Sequence, residues 1–293
     1  MNFNSLSVVT LFAILLSVKA SEEVEGIESC TGIFDSVDGP ITLDTISTLK
    51  PSKNANNLVY GMKAKPSAEI IKDVITQGLA DVNAFDGYGR CALSYALDND
   101  DYEAADALIA SGADVNTFNF STIMVIIAQA DYSEEQKMRA IKYLLDHDAD
   151  PKATGNSGFY ALSSAAYKGN VELVRLFLDL GLDVNHSDNY GQTPLIRAAE
   201  SSWSNVETVQ LLLANGAEMG TKDKRGENAV FKAAFRAAIS RNYDILECLL
   251  QNGGVALLHE INNKGETVEQ AIKDVDSYGF KMAKLNEIIA KYQ

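Results

Sequence analysis

One phrase returns along the chain and restricts what it can fold into. Asp81-Val82-Asn83 recurs 33 residues later as Asp114-Val115-Asn116, and again 69 residues beyond that as Asp183-Val184-Asn185. Each copy follows a glycine within three residues, and each glycine follows an amphipathic helical pattern. A period in this range marks a stacked array, in which each unit buries its apolar face only against its neighbours. The core then lengthens without thickening, so 293 residues do not imply two globular domains.

The segment in front of the array has a different character. Ser7–Val18 is a 12-residue, largely apolar run, too short to cross ~30 Å of hydrocarbon as a helix. It ends in Val18-Lys19-Ala20, which suits signal-peptidase cleavage after Ala20. Against this stand a first segment, MNFNS, without Lys or Arg, and Lys19 inside the cleavage region. The competing readings are a buried N-terminal helix and a retained membrane anchor. The expectation is a signal peptide over 1–20 and a product that is secreted or held in the secretory-pathway lumen (periplasm if bacterial). After cleavage no membrane association is expected, since no later stretch is long and apolar enough to span one.

Charge narrows the partners. The net charge is −15, and it becomes −16 without residues 1–20, so the chain repels phosphate backbones and nucleic acid is not expected as a partner. The acidity is uneven. Residues 86–106 carry Asp86, Asp98, Asp100, Asp101, Glu103 and Asp106 against Arg90 alone. Residues 221–241 carry Lys222, Lys224, Arg225, Lys232, Arg236 and Arg241 against Asp223 and Glu227. These are either solvated faces or the two ends of a field that orients a charged partner. Three cysteines make no disulfide framework; Cys91 and Cys248 fall four units apart and are expected to be buried as small hydrophobes.

The units read as follows. Residues 21–53 lack a helical period and form an N-terminal extension, partly disordered. In the first unit, 54–85, Leu58 begins a short helix, Pro66 breaks it, and Ser67 caps a helix over Ala68–Gln77 whose stripe is Ile70, Ile71, Val74 and Ile75. Gly78 suits its left-handed end. The second unit, 86–118, gives helices over Cys91–Asn99 and Tyr102–Ser111. The third, 119–154, is degenerate, with an almost wholly apolar first helix over Thr122–Ala130. The fourth is 155–187, the fifth 188–222 and the sixth 223–256. Extra residues at Ser202-Trp203 and around Arg236–Ser240 fall between the helices of their units and should project from one edge. Residues 257–293 end in a helix over about Phe280–Tyr292, whose polar Lys281, Lys284, Asn286, Glu287 and Lys291 suit a cap.

Asp188-Asn-Tyr-Gly-Gln-Thr-Pro-Leu195, followed by Val206-Glu-Thr-Val-Gln-Leu-Leu-Leu-Ala-Asn-Gly-Ala217, resembles an ankyrin repeat. The family's turn and first helix read D-x-x-G-x-T-P-L-H-x-A-A, and its second helix leads to Gly-Ala-Asp-Val-Asn. The resemblance covers about 54–293. It implies an all-α solenoid of helix–turn–helix units with β-hairpin or turn fingers and a helical C-terminal cap. Thr193, Pro194 and Leu195 match, but Ile196 stands where the family has His. Cys91-Ala92-Leu93-Ser94, Tyr160-Ala161-Leu162-Ser163 and Asn228-Ala229-Val230-Phe231 depart further. Those departures weaken the family's turn network and predict a less regular, less stable stack.

Chemistry-bearing motifs are sparse. Gly87-Tyr88-Gly89-Arg90-Cys91-Ala92 has dinucleotide-like glycine spacing but opens a repeat unit rather than following a hydrophobic strand. His147, His186 and His259 fall in three units without paired ligand spacing, so no metal and no cofactor is expected. No catalytic residue is assigned. Asn119-Phe-Ser121 and Asn185-His-Ser187 are glycosylation sequons in an exported eukaryotic chain. In arrays of this family, turn tips and first helices line a concave groove. Matching positions are Phe85, Tyr88 and Arg90; Phe118 and Phe120; Phe159 and Tyr167; Tyr190 and Gln192; and Arg225, Phe235 and Arg236. Aromatic and Arg side chains suit interface anchors, although Phe118 and Phe120 could instead cover the irregular third unit. Trp203 could pack down on the next unit. The expected function is an exported, monomeric, non-enzymatic array that binds another protein through this groove. The rivals are a membrane-anchored scaffold with residues 1–20 uncleaved and an enzyme with its site in 21–53 or the insertions.

Overall fold

A computed structural model describes residues 58, 59, 62, 65–78, 80–85, 89–116, 132–155, 157–273 and 280–292, without the side chains of 280–282. The expectations for 1–20 with Ala20, for the 21–53 extension, for Tyr88, Phe118, Asn119 and Phe120, and for the helix over 122–130 lie outside these residues. The chain divides into two compact bodies, Met1–Asn119 and Phe120–Gln293, taken separately below.

The first body contains α1 (Ala68–Thr76), α2 (Ala92–Asp98) and α3 (Tyr102–Ala110), with α3 packed on both others. The Ser67 hydroxyl accepts from the Ile70 amide, and Asp101 accepts from Ala104, so each side chain satisfies a helix-end donor. Of the expected stripe on α1, Ile71 and Val74 are buried, while Ile70 and Ile75 flank them half-buried. Cys91 is buried just before α2, free and without a capping hydrogen bond.

The second body is a two-layer stack. One layer holds α5 (Ala161–Lys168), α7 (Pro194–Glu200) and α9 (Ala229–Ser240). The other holds α4 (Glu134–Asp146), α6 (Val171–Asp179), α8 (Val206–Ala214) and α10 (Asp244–Gln251). Successive helices of a layer pack on each other, and α5, α7 and α9 each pack on the second-layer helix that follows them in sequence. Leu162, Phe177, Leu195, Val209, Val230 and Leu249 are fully or nearly fully buried between the layers. A 3-10 turn (Gly254–His259), α11 (Val268–Lys273) and α12 (Phe280–Ile289) follow. α12 packs on α9 and α11, burying Leu285, Ile288 and Ile289 while Lys284, Asn286 and Glu287 face solvent.

The returning Asp-Val-Asn phrase works as a clip between successive copies. In the first body Asn83 Nδ2 donates to Gly112 O at 3.1 Å, and Asn83 Oδ1 accepts from the Asp114 amide at 2.9 Å. In the second, Asn185 Nδ2 donates to Gly216 O at 3.0 Å, and its Oδ1 accepts from the Glu218 amide at 2.9 Å. The aspartate two residues earlier holds each asparagine by accepting from its amide, through Asp81 and Asp183 at 2.9 Å.

Of the two finger forms expected, β-hairpin or turn, the described residues show tight turns: among them there is no strand, only an isolated antiparallel bridge between Phe85 and Cys91. Two expectations are corrected. The extra residues around Arg236–Ser240 do not form an edge loop. They lengthen α9 to 12 residues, because Ala237-Ala238 sustains the helix until Arg241 turns left-handed at φ 60°. Trp203 does not pack down; it is 59% exposed, with Nζ of Lys168, the last residue of α5, 4.7 Å from its ring centroid.

The fingers Asp188–Gln192, Asp223–Glu227 and Asn262–Glu266 share one design. The first side chain accepts from amides two and four residues on, and backbone bonds Lys224 N–Tyr190 O (2.9 Å) and Asn263 N–Arg225 O (2.8 Å) join neighbouring fingers. Gly226 sits at φ +79° with an added Cβ only 2.8 Å from Asn263 N, whereas Gly265, at φ +78°, faces open space. Gly265→Ala is expected to cost the left-handed strain alone, about 1 kcal/mol. Gly226→Ala is expected to cost at least about twice that, as urea denaturation of both variants will measure.

Candidate groove and its ion network

The first-helix layer of the second body presents a continuous groove. Its upper part, about 420 Å³, is lined by Phe159, Tyr190, Gln192, Arg197, Glu200 and Lys232 with Lys224 and Arg225. Its lower part, about 480 Å³, shares Glu200, Arg225 and Lys232 and adds Phe231, Phe235, Arg236, Ile239 and Lys264. Helix phase places these residues together. Arg197 and Lys232 each occupy the fourth position of their first-layer helix, so the stack sets one above the other.

Arg197 is held from several directions. Its guanidinium lies 5.1 Å from the ring centroids of both Phe159 and Tyr167. It also donates to Gln192 Oε1 at 3.0 Å and Glu200 Oε1 at 3.1 Å, while Gln192 Nε2 donates to Glu200 Oε2 at 3.0 Å. Lys232 is buried and ringed by carboxylates, with Glu227 at 2.6 Å, Asp223 at 2.9 Å and Glu200 at 3.8 Å. Glu200 therefore links the two cations along the groove floor. Burial by itself would lower the Lys232 pKa, but its hydrogen bonds to Glu227 and Asp223 outweigh that and raise it above the ordinary value.

The expected binding residues thus separate by what they already hold. Phe159 and Gln192 line the groove half-buried and are engaged with Arg197, while Tyr167, also half-buried, meets Arg197 but is not among the groove-lining residues. Tyr190 is 57% exposed, its ring 6.4 Å from that of Phe159. Arg225 is exposed, and Phe235 and Arg236 are half-buried on the lower wall. In the first body, Phe85 is half-buried beside its bridge, and Arg90 pairs with Asp98 and sits 4.2 Å from the Tyr95 ring centroid. Asn185 is engaged through both ends of its amide by the clip above. Sequence reasoning assigned no role to Arg197 or Glu200 and did not connect Lys232 with Asp223 and Glu227. The usable signal was phase: Arg197 and Lys232 stand 35 residues apart at the same point of the repeat.

Departures from the family's turn network have local substitutes. Thr193 Oγ1 accepts from the Ile196 amide at 3.3 Å, and Asn228 takes the same place on the next helix, accepting from Phe231 at 2.8 Å. Tyr160 makes no cap but accepts from the Asp183 amide at 2.9 Å and stacks 4.3 Å from His186. Among the described residues no group of three or more His, Cys, Asp or Glu is arranged to hold a metal ion, and no helix is long and apolar enough to cross a membrane.

Comparison with known proteins agrees with this architecture. Residues 127–223 match the family model described as ankyrin repeats (3 copies). An ankyrin repeat protein of fowlpox virus (strain NVSL) is 28% identical over 133 residues, 45% of this chain and 19% of its own length. The B-cell lymphoma 3 protein homolog of Mus musculus is 26% identical over 159 residues, 54% of this chain and 34% of its own. An ankyrin repeat protein of Escherichia coli (strain K12) is 26% identical over 129 residues, 44% of this chain and 62% of its own. The chain thus matches less than two thirds of the length of each. Repeats of this kind point to a protein–protein interaction module.

Lys232→Met removes the cation from three carboxylates and is expected to lower stability by about 3 kcal/mol, the usual order for breaking a buried pair. The Lys232 pKa is raised on folding, so its contribution is full below its unfolded pKa, about 10.4, and is lost as pH rises through the folded value. The gap between wild type and Lys232→Met should hold from pH 7 to about 10 and shrink above it. Chemical denaturation across that range measures it.

Proposed function

We propose that this chain is an exported, non-enzymatic array that binds another protein through the groove of its second body and acts as a monomer. The observation that carries this reading is an incompletely satisfied wall. Ile239 (50% exposed) stands with Phe235 beside the exposed cations Arg225 and Lys264 in the lower part, and Tyr190 (57% exposed) stands beside Lys224 and Arg225 in the upper part. Arg197 and Lys232, by contrast, are spent on internal contacts. Exposed aromatic and aliphatic side chains rimmed by cations over a rigid floor are the composition of an interface anchor. The match to ankyrin repeats supports a protein partner, and the cationic rim favours one with an acidic contact surface. Export rests on the apolar run Ser7–Val18 and the Val-Lys-Ala end that follows it.

Two measurements test the parts separately. Mass analysis of the protein secreted by its native host is expected to give a chain starting at Ser21; a chain that keeps Met1 and stays with membranes supports the anchored scaffold instead. Affinity capture from the exported fraction should recover a partner whose binding falls about 30-fold in Tyr190→Ala or Phe235→Ala, the loss expected for a ~2 kcal/mol anchor. Unchanged capture by both variants sinks the groove assignment.

A further inference from the structure

The three fingers of the second body set their third residues in a row along the groove. Tyr190, Arg225 and Lys264 each donate a backbone amide to the first side chain of their own finger, at 2.8, 2.8 and 2.9 Å, so the three are held alike. The backbone bonds from Lys224 to Tyr190 and from Asn263 to Arg225 fix each finger against the next. All three side chains are exposed, and all three line the groove. Because α7, α9 and α11 pack in succession behind them, the row repeats at the spacing of packed helices, about 8–10 Å.

The charges of this row are unanswered. Among the described residues, no ion pair includes Arg225, Lys264 or the adjacent exposed Lys224. The carboxylates that line the same groove are engaged elsewhere. Glu200, Asp223 and Glu227 hold Arg197 and Lys232, and Glu266 accepts from Asn262 Nδ2 at 3.1 Å. In a chain of net charge −15, an exposed wall with three unpaired cations is a local reversal of sign, and it attracts an acidic partner.

We propose that the groove takes an extended acidic peptide segment in the polyproline II conformation, its apolar side chain on Tyr190 and its acidic side chains, three and six residues away, on Arg225 and Lys264. The conformation follows from the spacing. A polyproline II chain returns to the same face every third residue, about 9.3 Å on, which matches one step of the stack. A strand returns after two residues, about 6.8 Å, and a helix after seven, about 10.5 Å, so both drift out of step over three fingers. The order along the segment follows from the row, which runs aromatic, cation, cation. A chain already extended in this form also loses little entropy on binding. The inference rests on the groove reading above and narrows its partner to a linear acidic motif.

Fluorescence anisotropy of a labelled synthetic peptide titrated with the full chain tests it. The probe has phenylalanine first, glutamate fourth and seventh, and proline between them; a second probe carries the same order reversed, and the tighter of the two gives the chain direction. Saturable one-site binding is expected, weakened at least about fivefold when the two glutamates are set two residues apart instead of three, and lost when both become lysine. Arg225→Gln and Lys264→Gln, both at exposed side chains, should each weaken binding about threefold. Changing the probe's glutamate farther from the phenylalanine to glutamine should abolish the effect of Lys264→Gln and leave that of Arg225→Gln; changing the nearer one should do the reverse. Circular dichroism checks that both variants are folded. No binding, equal binding of the respaced probe, a cycle without this pairing, or tighter binding of a helical probe with glutamates seven residues apart would each overturn the proposal. Partner capture that still falls in Tyr190→Ala would then leave the groove reading standing.

Discussion

The stack depends on what one asparagine does at the end of a repeat phrase. Helix pairs of seven to thirteen residues cannot bury their apolar faces alone, so each must be set against the next in a fixed register. The Asn83 and Asn185 side chains do this by taking both an amide and a carbonyl of the following copy, while the preceding aspartate holds the asparagine in place. A few residues further along the second body, the finger turns are joined backbone to backbone. Beside these polar seams the buried leucines, valines and alanines contribute most of the stabilisation without specifying register.

The groove follows from that register. Because first-layer helices stack in phase, residues 35 apart meet, and Arg197, Glu200, Lys232, Asp223 and Glu227 combine into one floor of two cations among three carboxylates. Its charged groups are largely engaged with one another, which makes the floor a scaffold for its neighbours rather than a source of binding energy. The rim above it is where exposed aromatic, aliphatic and cationic side chains remain for an outside partner. The two insertions add to this frame without disturbing it, one as a longer α9 and the other as the exposed connection bearing Trp203.

Local chemistry made much of this legible. Ser67 and Thr193 mark helix starts through a side-chain oxygen that only the helix-end amides can use. The burial of Ile71 and Val74 follows from their spacing. What could not be read was whatever depends on which helix an added residue joins, or on distant charges meeting. Around Ser240 the period argued for a loop, but an alanine-rich run continues a helix more cheaply than it breaks one. Gln192 and Phe159 looked like free tips because nothing nearby in sequence shows that Arg197 engages them both. The same distance hid the clip: Asn185 reads as a sequon, and only its partners at Gly216 and Glu218 show its structural role.

Amide hydrogen exchange measured by NMR on the wild type and Asn185→Ala tests this dependence most directly. The Glu218 amide, which donates to Asn185 Oδ1, should be protected in the wild type and lose protection in the variant, with faster exchange spreading into α6 and α8 on either side. Equal protection of Glu218 in both proteins would mean that register is set elsewhere, and would contradict the account.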